Sequence, residues 1–153
     1  MLENKMKIYL ATDHRGFELK EKIKGWLKEW GHEYEDMGAF ELDPDDDYVD
    51  FVSKASEKVS ENPENSKAII LGKSGQGEAI VANKFRDVRA VVYYGGNEEI
   101  ISLSRQHNDA NVLSLGAYFI DESIAKRIIK LWLETPFSVD ERHKRRLQKI
   151  KSF

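Results

Sequence analysis

The chain has 153 residues, enough for one continuous core, and we expect residues 1–153 to form a single domain without a linker. Its 24 basic and 27 acidic side chains leave a net charge of -3, which argues against a general affinity for nucleic acid. The absence of cysteine excludes disulfide bonds and a thiolate nucleophile, and the lack of any signal-like or membrane-spanning stretch predicts a cytoplasmic protein without a membrane partner.

Apolar runs alternate with amphipathic segments along the whole chain. The apolar runs predict strands at residues 7–12, 32–37, 67–71, 88–93 and 112–115. Apolar residues at helical spacing predict a helix after each strand, at residues 17–30, 49–59, 78–85, 97–106 and 121–133. A final helix, predicted over residues 139–150, has no strand after it.

This alternation, with its short connections, predicts a parallel sheet covered on both faces. We therefore predict an α/β fold: a Rossmann-like three-layer α/β/α domain with a five-stranded parallel sheet and an extra C-terminal helix. Ligands of such sheets bind beyond the carboxyl ends of the strands, where the connections diverge to opposite faces. Asp13 and His14 follow the first strand and residues 72–77 follow the third, so both segments are expected at that edge.

The glycine-rich segment at residues 72–78, GKSGQGE, is the most informative part of the sequence. Its three glycines permit a tight turn whose backbone N–H groups can face an anion, and Glu78 falls in the first turn of the next helix. On these residues alone, the loop could equally serve strand–helix packing or hold a nucleotide phosphate. Lys73 and Ser74 stand at the start of this loop, whereas a P-loop ends in Lys-Ser or Lys-Thr, and the GxGxxG pattern is absent, which disfavours a nucleotide-binding module.

Further motifs appear in a fixed order along the chain. They are DHRGF at residues 13–17, DYVDF at 47–51, RQHNDANVLSLGA at 105–117, ETPF at 134–137 and RHKRR at 142–146. With the glycine-rich segment, they resemble the family of ribose-5-phosphate isomerase B and galactose-6-phosphate isomerase over about residues 7–150. The resemblance implies a cofactor-independent aldose–ketose isomerase, with ribose 5-phosphate and ribulose 5-phosphate as the expected pair. It also implies a homodimer or a dimer of dimers whose subunits share active sites.

The resemblance assigns catalytic roles to Glu78, Ser74 and His107. Aldose–ketose conversion moves a proton between adjacent carbons through an enediolate, so it needs a base, donors for the oxyanion and a group that opens the sugar ring. Many members use a cysteine base at the position of Gly72, and a minority use a glutamate at the position of Glu78. This chain fits the minority pattern, with Ser74 and the N–H groups of residues 75–77 as oxyanion donors and His107 for ring opening.

Each catalytic candidate also has an ordinary structural interpretation. Glu78 could be a first-turn glutamate stabilised by the helix dipole, Ser74 a turn or cap residue, and His107 a helix-end residue. A helix N-terminus lowers the pKa of a carboxyl group, whereas burial raises it toward the roughly 6 to 7 that suits a base at neutral pH. The sequence leaves open which effect wins at Glu78.

The resemblance also implies a set of substrate-binding residues. These are Asp13, His14, Tyr48, Gly72, Gly75, Gly77, Asn108, Arg142 and Arg146. Asp13, Tyr48 and Asn108 are expected to contact sugar hydroxyls, and His14 the phosphate or the ring oxygen. Arg142 and Arg146, four residues apart on a predicted helix, face the same way and are expected to clamp the phosphate.

Two acidic features suggest a metal but are predicted not to bind one. Asp13 and His14 could be a metal-ligand pair, yet no third ligand stands at a suitable spacing. The acidic run at residues 45–47 lacks the ordered alternation and the terminal glutamate of a calcium loop and is predicted to be a solvated loop. Asp109 and Asn111 are predicted to brace a turn.

Three positions depart from the family pattern. Tyr118 stands where members commonly have a phosphate-binding arginine, Arg15 replaces an alanine, and Lys73 replaces a small loop residue. Either the phosphate is held differently, or the substrate is not the usual pentose phosphate. The alternatives are an isomerase of a six-carbon sugar phosphate such as allose or galactose 6-phosphate, an isomerase of an unphosphorylated sugar, and a non-catalytic sugar-phosphate-binding protein. The presence of all three catalytic candidates favours catalysis.

Overall fold

Parallel strands form one sheet in the computed structural model, which describes residues 6–153. The strands are β1 (Lys7–Thr12), β2 (Glu33–Asp36), β3 (Ser66–Gly72), β4 (Ala90–Tyr93) and β5 (Val112–Gly116). Their order across the sheet is β2-β1-β3-β5-β4, and every pairing is parallel. The prediction of a five-stranded parallel sheet is confirmed.

A helix follows each strand, as predicted, and one more closes the described chain. The helices are α1 (Phe17–Glu29), α2 (Tyr48–Glu61), α3 (Gln76–Ala82), α4 (Glu99–Asn108), α5 (Glu122–Glu134) and α6 (Glu141–Lys151). The helix α3 is shorter than the predicted 78–85 at its carboxyl end. The amide group of Asn83 exchanges two hydrogen bonds with the backbone of Ala90, which ends the helix and anchors the start of β4. A 3₁₀ turn at His14–Gly16, which the sequence did not predict, joins β1 to α1.

Two apolar clusters cover the opposite faces of the sheet. Successive side chains of a strand point to opposite faces, so Ile69 and Leu71 of β3 join one cluster while Ala68 and Ile70 join the other. The first cluster contains buried residues of α1, α4 and α5, including Trp132, and the second contains those of α2 and α3. Since helices lie on both faces, the predicted three-layer α/β/α arrangement is confirmed.

The strand order places a crevice between β1 and β3. The chain leaves β1 for β2 on one side and later enters β3 on the other side, so the connections diverge at the carboxyl ends of β1 and β3. Within residues 6–153, no helix combines the length and the apolarity needed to span a bilayer.

The C-terminal helix α6 folds back onto α4 of its own chain. The backbone N–H of Ser138 donates to the carbonyl of Gln106 at 3.2 Å, which ties the preceding segment to the end of α4. His143 is the buried residue of α6.

Candidate active site

Glu78 is a buried carboxyl group at the carboxyl edge of the sheet. It lies in the first turn of α3 and is 4% exposed, while Asp13, directly after β1, is 7% exposed. Burial raises the pKa of Glu78, and the charge of Asp13 raises it further, whereas the backbone N–H groups of Glu78 and Gly75 act in the opposite direction. Burial therefore outweighs the helix terminus, and Glu78 has the raised pKa that suits a general base.

The glycine-rich loop brings β3 and β5 together at this edge. Gly75 has a φ of +77°, a left-handed conformation that favours glycine, and its carbonyl accepts a hydrogen bond from the Ser114 hydroxyl at 2.7 Å. The Ser74 hydroxyl accepts from the backbone N–H of Gln76 at 3.3 Å. Ser74 thus performs the turn role that the sequence left open, and its role as an oxyanion donor remains a prediction.

Tyr48 lies against the first turn of α3. It is the first residue of α2, and a Cβ at Gly77 would stand only 3.1 Å from Cε2 of its ring. The fold therefore brings Asp13, Tyr48 and Glu78 to one edge of the sheet together with the loop glycines.

His14 is held at the same edge by Asp46. One carboxylate oxygen of Asp46, Oδ1, accepts from the backbone N–H of His14 at 3.0 Å and lies 2.7 Å from Nδ1 of its ring. The prediction of a solvated loop over residues 45–47 is wrong at Asp46, because its side chain is only 7% exposed. The loop folds over the end of β1, which buries this carboxylate while the neighbouring Asp45 and Asp47 stay exposed.

The fold also supplies a third candidate metal ligand that the sequence spacing did not reveal. Asp13, His14 and Asp46 offer ligand atoms that lie within 4.8 Å of one another. Two carboxylates and an imidazole are a donor set that divalent transition metals accept. Since Nδ1 of His14 is already engaged by Asp46, the group is organised as a hydrogen-bonded pair beside Asp13.

Two of the three departures from the family pattern contact each other at the glycine-rich loop. The Lys73 ammonium stands 5.1 Å from the centroid of the Tyr118 ring, a cation–π distance. The backbone N–H of Tyr118 donates to the Lys73 carbonyl at 3.2 Å, so the two residues are linked through both backbone and side chain. Arg15 is exposed beside His14.

His107 belongs to a second group of residues around the end of α4. Its ring stacks on that of His143 in α6, with 4.2 Å between the centroids. Burial and then the neighbouring His107 lower the pKa of His143. Asn108, the last residue of α4, is exposed. Neither His143 nor its stacking was predicted, although it stands inside the basic motif at residues 142–146.

The turn after α4 is braced as the sequence predicted. The Arg105 guanidinium donates to Asp109 at 2.8 Å and to the carbonyls of Ala110 and Thr135. The side-chain amide of Asn111 accepts from the backbone of Arg89 and donates to that of Asp87. Arg105 itself was missed as a structural residue.

Arg142 and Arg146 remain available on the surface of α6. Both are exposed, and within residues 6–153 neither side chain forms an ion pair. Asp140 caps the helix by accepting from the backbone N–H of Arg142 at 2.8 Å. The two guanidinium groups are therefore free to bind an anion together, as their spacing predicts.

The Glu78 group lies at the carboxyl ends of the parallel strands, and the His107 group lies at their amino ends. The chain passes from α4 through residues 109–111 into the amino end of β5, whereas Glu78 lies beyond the carboxyl end of the parallel strand β3. A five-residue strand such as β5 is about 16 Å long. One chain therefore does not bring His107, Asn108 and the α6 arginines to Glu78.

Comparisons with known proteins agree over nearly the whole chain. The family model described as Ribose/Galactose Isomerase matches residues 8–150. Ribose-5-phosphate isomerase B of Mycolicibacterium paratuberculosis is 39% identical over 142 residues, which cover 93% of this chain and 87% of that protein.

Solved structures give the same result. The crystal structure of ribose-5-phosphate isomerase B from Mycoplasma genitalium with bound ribulose-5-phosphate has a TM-score of 0.91 and 34% identity, covering 96% of this chain and 95% of that one. The corresponding protein of Thermotoga maritima has a TM-score of 0.87 and 36% identity, covering 97% of this chain and 99% of that one. The resemblance inferred from the motifs is confirmed, and the chain belongs to the ribose/galactose isomerase family.

Proposed function

We propose that the protein is an aldose–ketose isomerase that interconverts ribose 5-phosphate and ribulose 5-phosphate without a cofactor. The observation that carries this proposal is the buried Glu78, whose pKa is raised and which lies beside Asp13 at the carboxyl edge of the sheet. The pentose phosphate is favoured by the relatives named ribose-5-phosphate isomerase B and by the related structure with ribulose-5-phosphate.

Glu78 acts as the base in this mechanism. Its carboxylate removes a proton from the carbon next to the carbonyl group, which gives an enediolate, and returns the proton to the former carbonyl carbon, while the hydroxyl proton passes from the second oxygen to the former carbonyl oxygen. Ser74 and backbone N–H groups of the loop stabilise the oxyanion that develops. His107 opens the sugar ring, and Arg142 and Arg146 hold the phosphate by charge-assisted hydrogen bonds.

Two chains are needed to assemble such a site. Glu78, Asp13 and Tyr48 come from one subunit, and the His107 group comes from its partner, because the sheet separates the two groups within a chain. A symmetric dimer pairs the carboxyl edge of each chain with the α4–α6 end of the other, and thereby forms two equal sites. The homodimer, the dimer of dimers and the cytoplasmic location stay predictions.

An isomerisation screen tests the function. Ribose 5-phosphate, allose 6-phosphate, galactose 6-phosphate and unphosphorylated ribose are each incubated with the protein, and ketose formation is measured. We expect the highest kcat/KM for ribose 5-phosphate. A six-carbon phosphate that reacts better would reassign the substrate, and binding without turnover would support the non-catalytic alternative.

Deuterium incorporation tests the proton-transfer step. In D₂O, an enediolate intermediate exchanges the transferred proton with solvent, so deuterium should enter the carbon next to the carbonyl group. The Glu78→Gln variant should abolish this exchange, because an amide cannot accept the proton. Turnover without any deuterium in the product would point to a direct hydride shift.

A further inference from the structure

The Asp46 carboxylate joins the loop before α2 to the end of β1. Its Oδ1 accepts from the backbone N–H of His14 at 3.0 Å and lies 2.7 Å from Nδ1 of the same residue. Because one oxygen holds both the backbone and the ring, rotation of the imidazole is restricted. The contact spans 32 positions in sequence, so it depends on the folded loop.

The burial of Asp46 is not explained by the stability of the loop. Its side chain is 7% exposed, and its second oxygen, Oδ2, is buried without a hydrogen-bond partner in residues 6–153. An unpaired buried carboxylate oxygen lowers stability, and a neutral side chain could link the same segments without that cost. The carboxylate also lies near that of the buried Asp13, whose pKa is raised by burial and further by the charge of Asp46.

His14 has one ring nitrogen left for a ligand. Its side chain is 22% exposed, and Nε2 makes no hydrogen bond within the described residues. In a neutral imidazole, the hydrogen bond made by one nitrogen determines which nitrogen carries the proton. An ionised carboxylate can only accept, so next to a neutral ring Asp46 places the proton on Nδ1 and leaves the lone pair on Nε2.

We propose that Asp46 is a positioning residue that fixes the ring and the tautomer of His14, so that Nε2 accepts a hydrogen bond from a hydroxyl group of the bound sugar. The proposal rests on the isomerase function proposed above. It gives a role to a residue in the acidic run, and it makes His14 a hydrogen-bond acceptor for a sugar hydroxyl group, in place of the contact with the phosphate or the ring oxygen that the resemblance implies.

A double-mutant cycle tests whether Asp46 acts through His14. Asp46→Ala should lower kcat/KM by roughly 10- to 100-fold, the scale expected when a group that orients the substrate is misplaced. In a His14→Ala background, the same change should have almost no further effect, because the ring that Asp46 holds is gone. If the losses in kcat/KM of the two single variants simply multiply in the double variant, the proposal is wrong.

Matched variants separate positioning from charge and from loop stability. Asp46→Asn keeps the shape and can still link the two segments, but its amide can donate as well as accept, so it does not fix the tautomer and should recover only part of the activity lost in Asp46→Ala. Asp45→Ala is the control within the same acidic run, because its exposed side chain makes no hydrogen bond, and it should match the wild type. Should Asp46→Ala fail to fold, Asp46→Ser replaces it in the cycle.

Imidazole ¹⁵N NMR provides a measurement that does not need turnover. With the His14→Ala spectrum as the assignment reference, His14 should be the Nδ1–H tautomer in the wild type and should lose that preference in Asp46→Ala. An unchanged tautomer would refute the role of Asp46 even if the isomerase is active. An inactive protein with the expected tautomer change would instead count against the proposed function alone.

Discussion

Gly72 leaves the space that the carboxyl group of Glu78 occupies. The three atoms nearest to a Cβ built on Gly72 all belong to that carboxyl group, and the farthest of them, Oε1, would lie at 2.6 Å. Side-chain atoms do not approach a Cβ so closely. A side chain at position 72 and the carboxylate of Glu78 therefore exclude each other. This gives a physical reason for the two alternative base positions, 72 and 78, that the resemblance implies.

This exclusion predicts the effect of Gly72→Ala. The added methyl group displaces the end of a flexible side chain and meets no backbone among its nearest neighbours, so the fold should persist while the carboxylate moves. We expect kcat to fall by about 10²-fold or more, because a misplaced base loses its contribution. Steady-state kinetics and thermal unfolding check both parts.

Gly25→Ala is the matched control for this substitution. A Cβ at this exposed position of α1 meets nothing within 4 Å. The control should keep wild-type kinetics and gain about 0.5 to 1 kcal/mol of stability from helix propensity. A fully active Gly72→Ala protein would contradict the assignment of Glu78 as the base.

Glu78→Gln should nearly abolish turnover and leave substrate binding close to intact. The amide has the shape of the carboxyl group but cannot take a proton, and a general base typically contributes about 10²- to 10⁴-fold. Rates and calorimetric binding of the sugar phosphate measure the two effects. A variant with more than a tenth of the wild-type rate would remove Glu78 from the mechanism.

The raised pKa of Glu78 predicts opposite effects of pH on activity and on stability. The base must be ionised in the free enzyme, so the acidic limb of kcat/KM should lie above pH 4.5, the ordinary pKa of this group. The folded state keeps the proton to a higher pH than the unfolded chain does, so the free energy of unfolding falls as pH rises through the window above 4.5. Glu78→Gln should therefore unfold at a higher temperature than the wild type at pH 8. Thermal scans should show this difference shrink below pH 4.5.

The sequence was most informative where a local pattern determines the structure. The alternation of apolar runs located the strands, and the motif order located Glu78 beside Gly72. The sequence could not show that burial exceeds the helix dipole at Glu78, because that balance depends on packing from several elements. Asp46 was missed because it resembles its exposed neighbours in the acidic run, and only the folded loop distinguishes it.

Mixed subunits test whether the site is shared. Glu78→Gln and His107→Asn should each be nearly inactive alone. If Glu78 and His107 of one site come from different chains, a mixed dimer contains one site with both substitutions and one wild-type site. Random mixing should then restore about a quarter of the wild-type activity, because half of the dimers are mixed.

A double variant provides the control for this experiment. When wild-type protein is mixed with the Glu78→Gln, His107→Asn double variant, the activity should not rise, since each site of a mixed dimer then contains one substitution. Sedimentation should show that the active species is at least a dimer. No recovery in a preparation that exchanges subunits would place both residues in the same chain or remove His107 from the site.

The Lys73–Tyr118 pair predicts how this protein compensates for the phosphate-binding arginine that family members commonly have at position 118. The Lys73 ammonium, in the glycine-rich loop, stands over the Tyr118 ring at 5.1 Å, whereas Arg15 is exposed beside His14 and contacts no aromatic ring in this way among residues 6–153. One missing charge-assisted contact corresponds to about 1.5 to 3 kcal/mol, so an unaided Arg142 and Arg146 clamp would bind phosphate roughly ten- to a hundredfold more weakly.

We expect Lys73→Ala to raise KM for the phosphorylated sugar with little change in kcat, as loss of uniform binding does, and Arg15→Ala to have the smaller effect. Kinetics with phosphorylated and unphosphorylated sugars measure this, because only the phosphorylated substrate should respond. If neither variant matters and unphosphorylated sugars react equally well, the phosphate has no part in recognition and the protein is an isomerase of an unphosphorylated sugar.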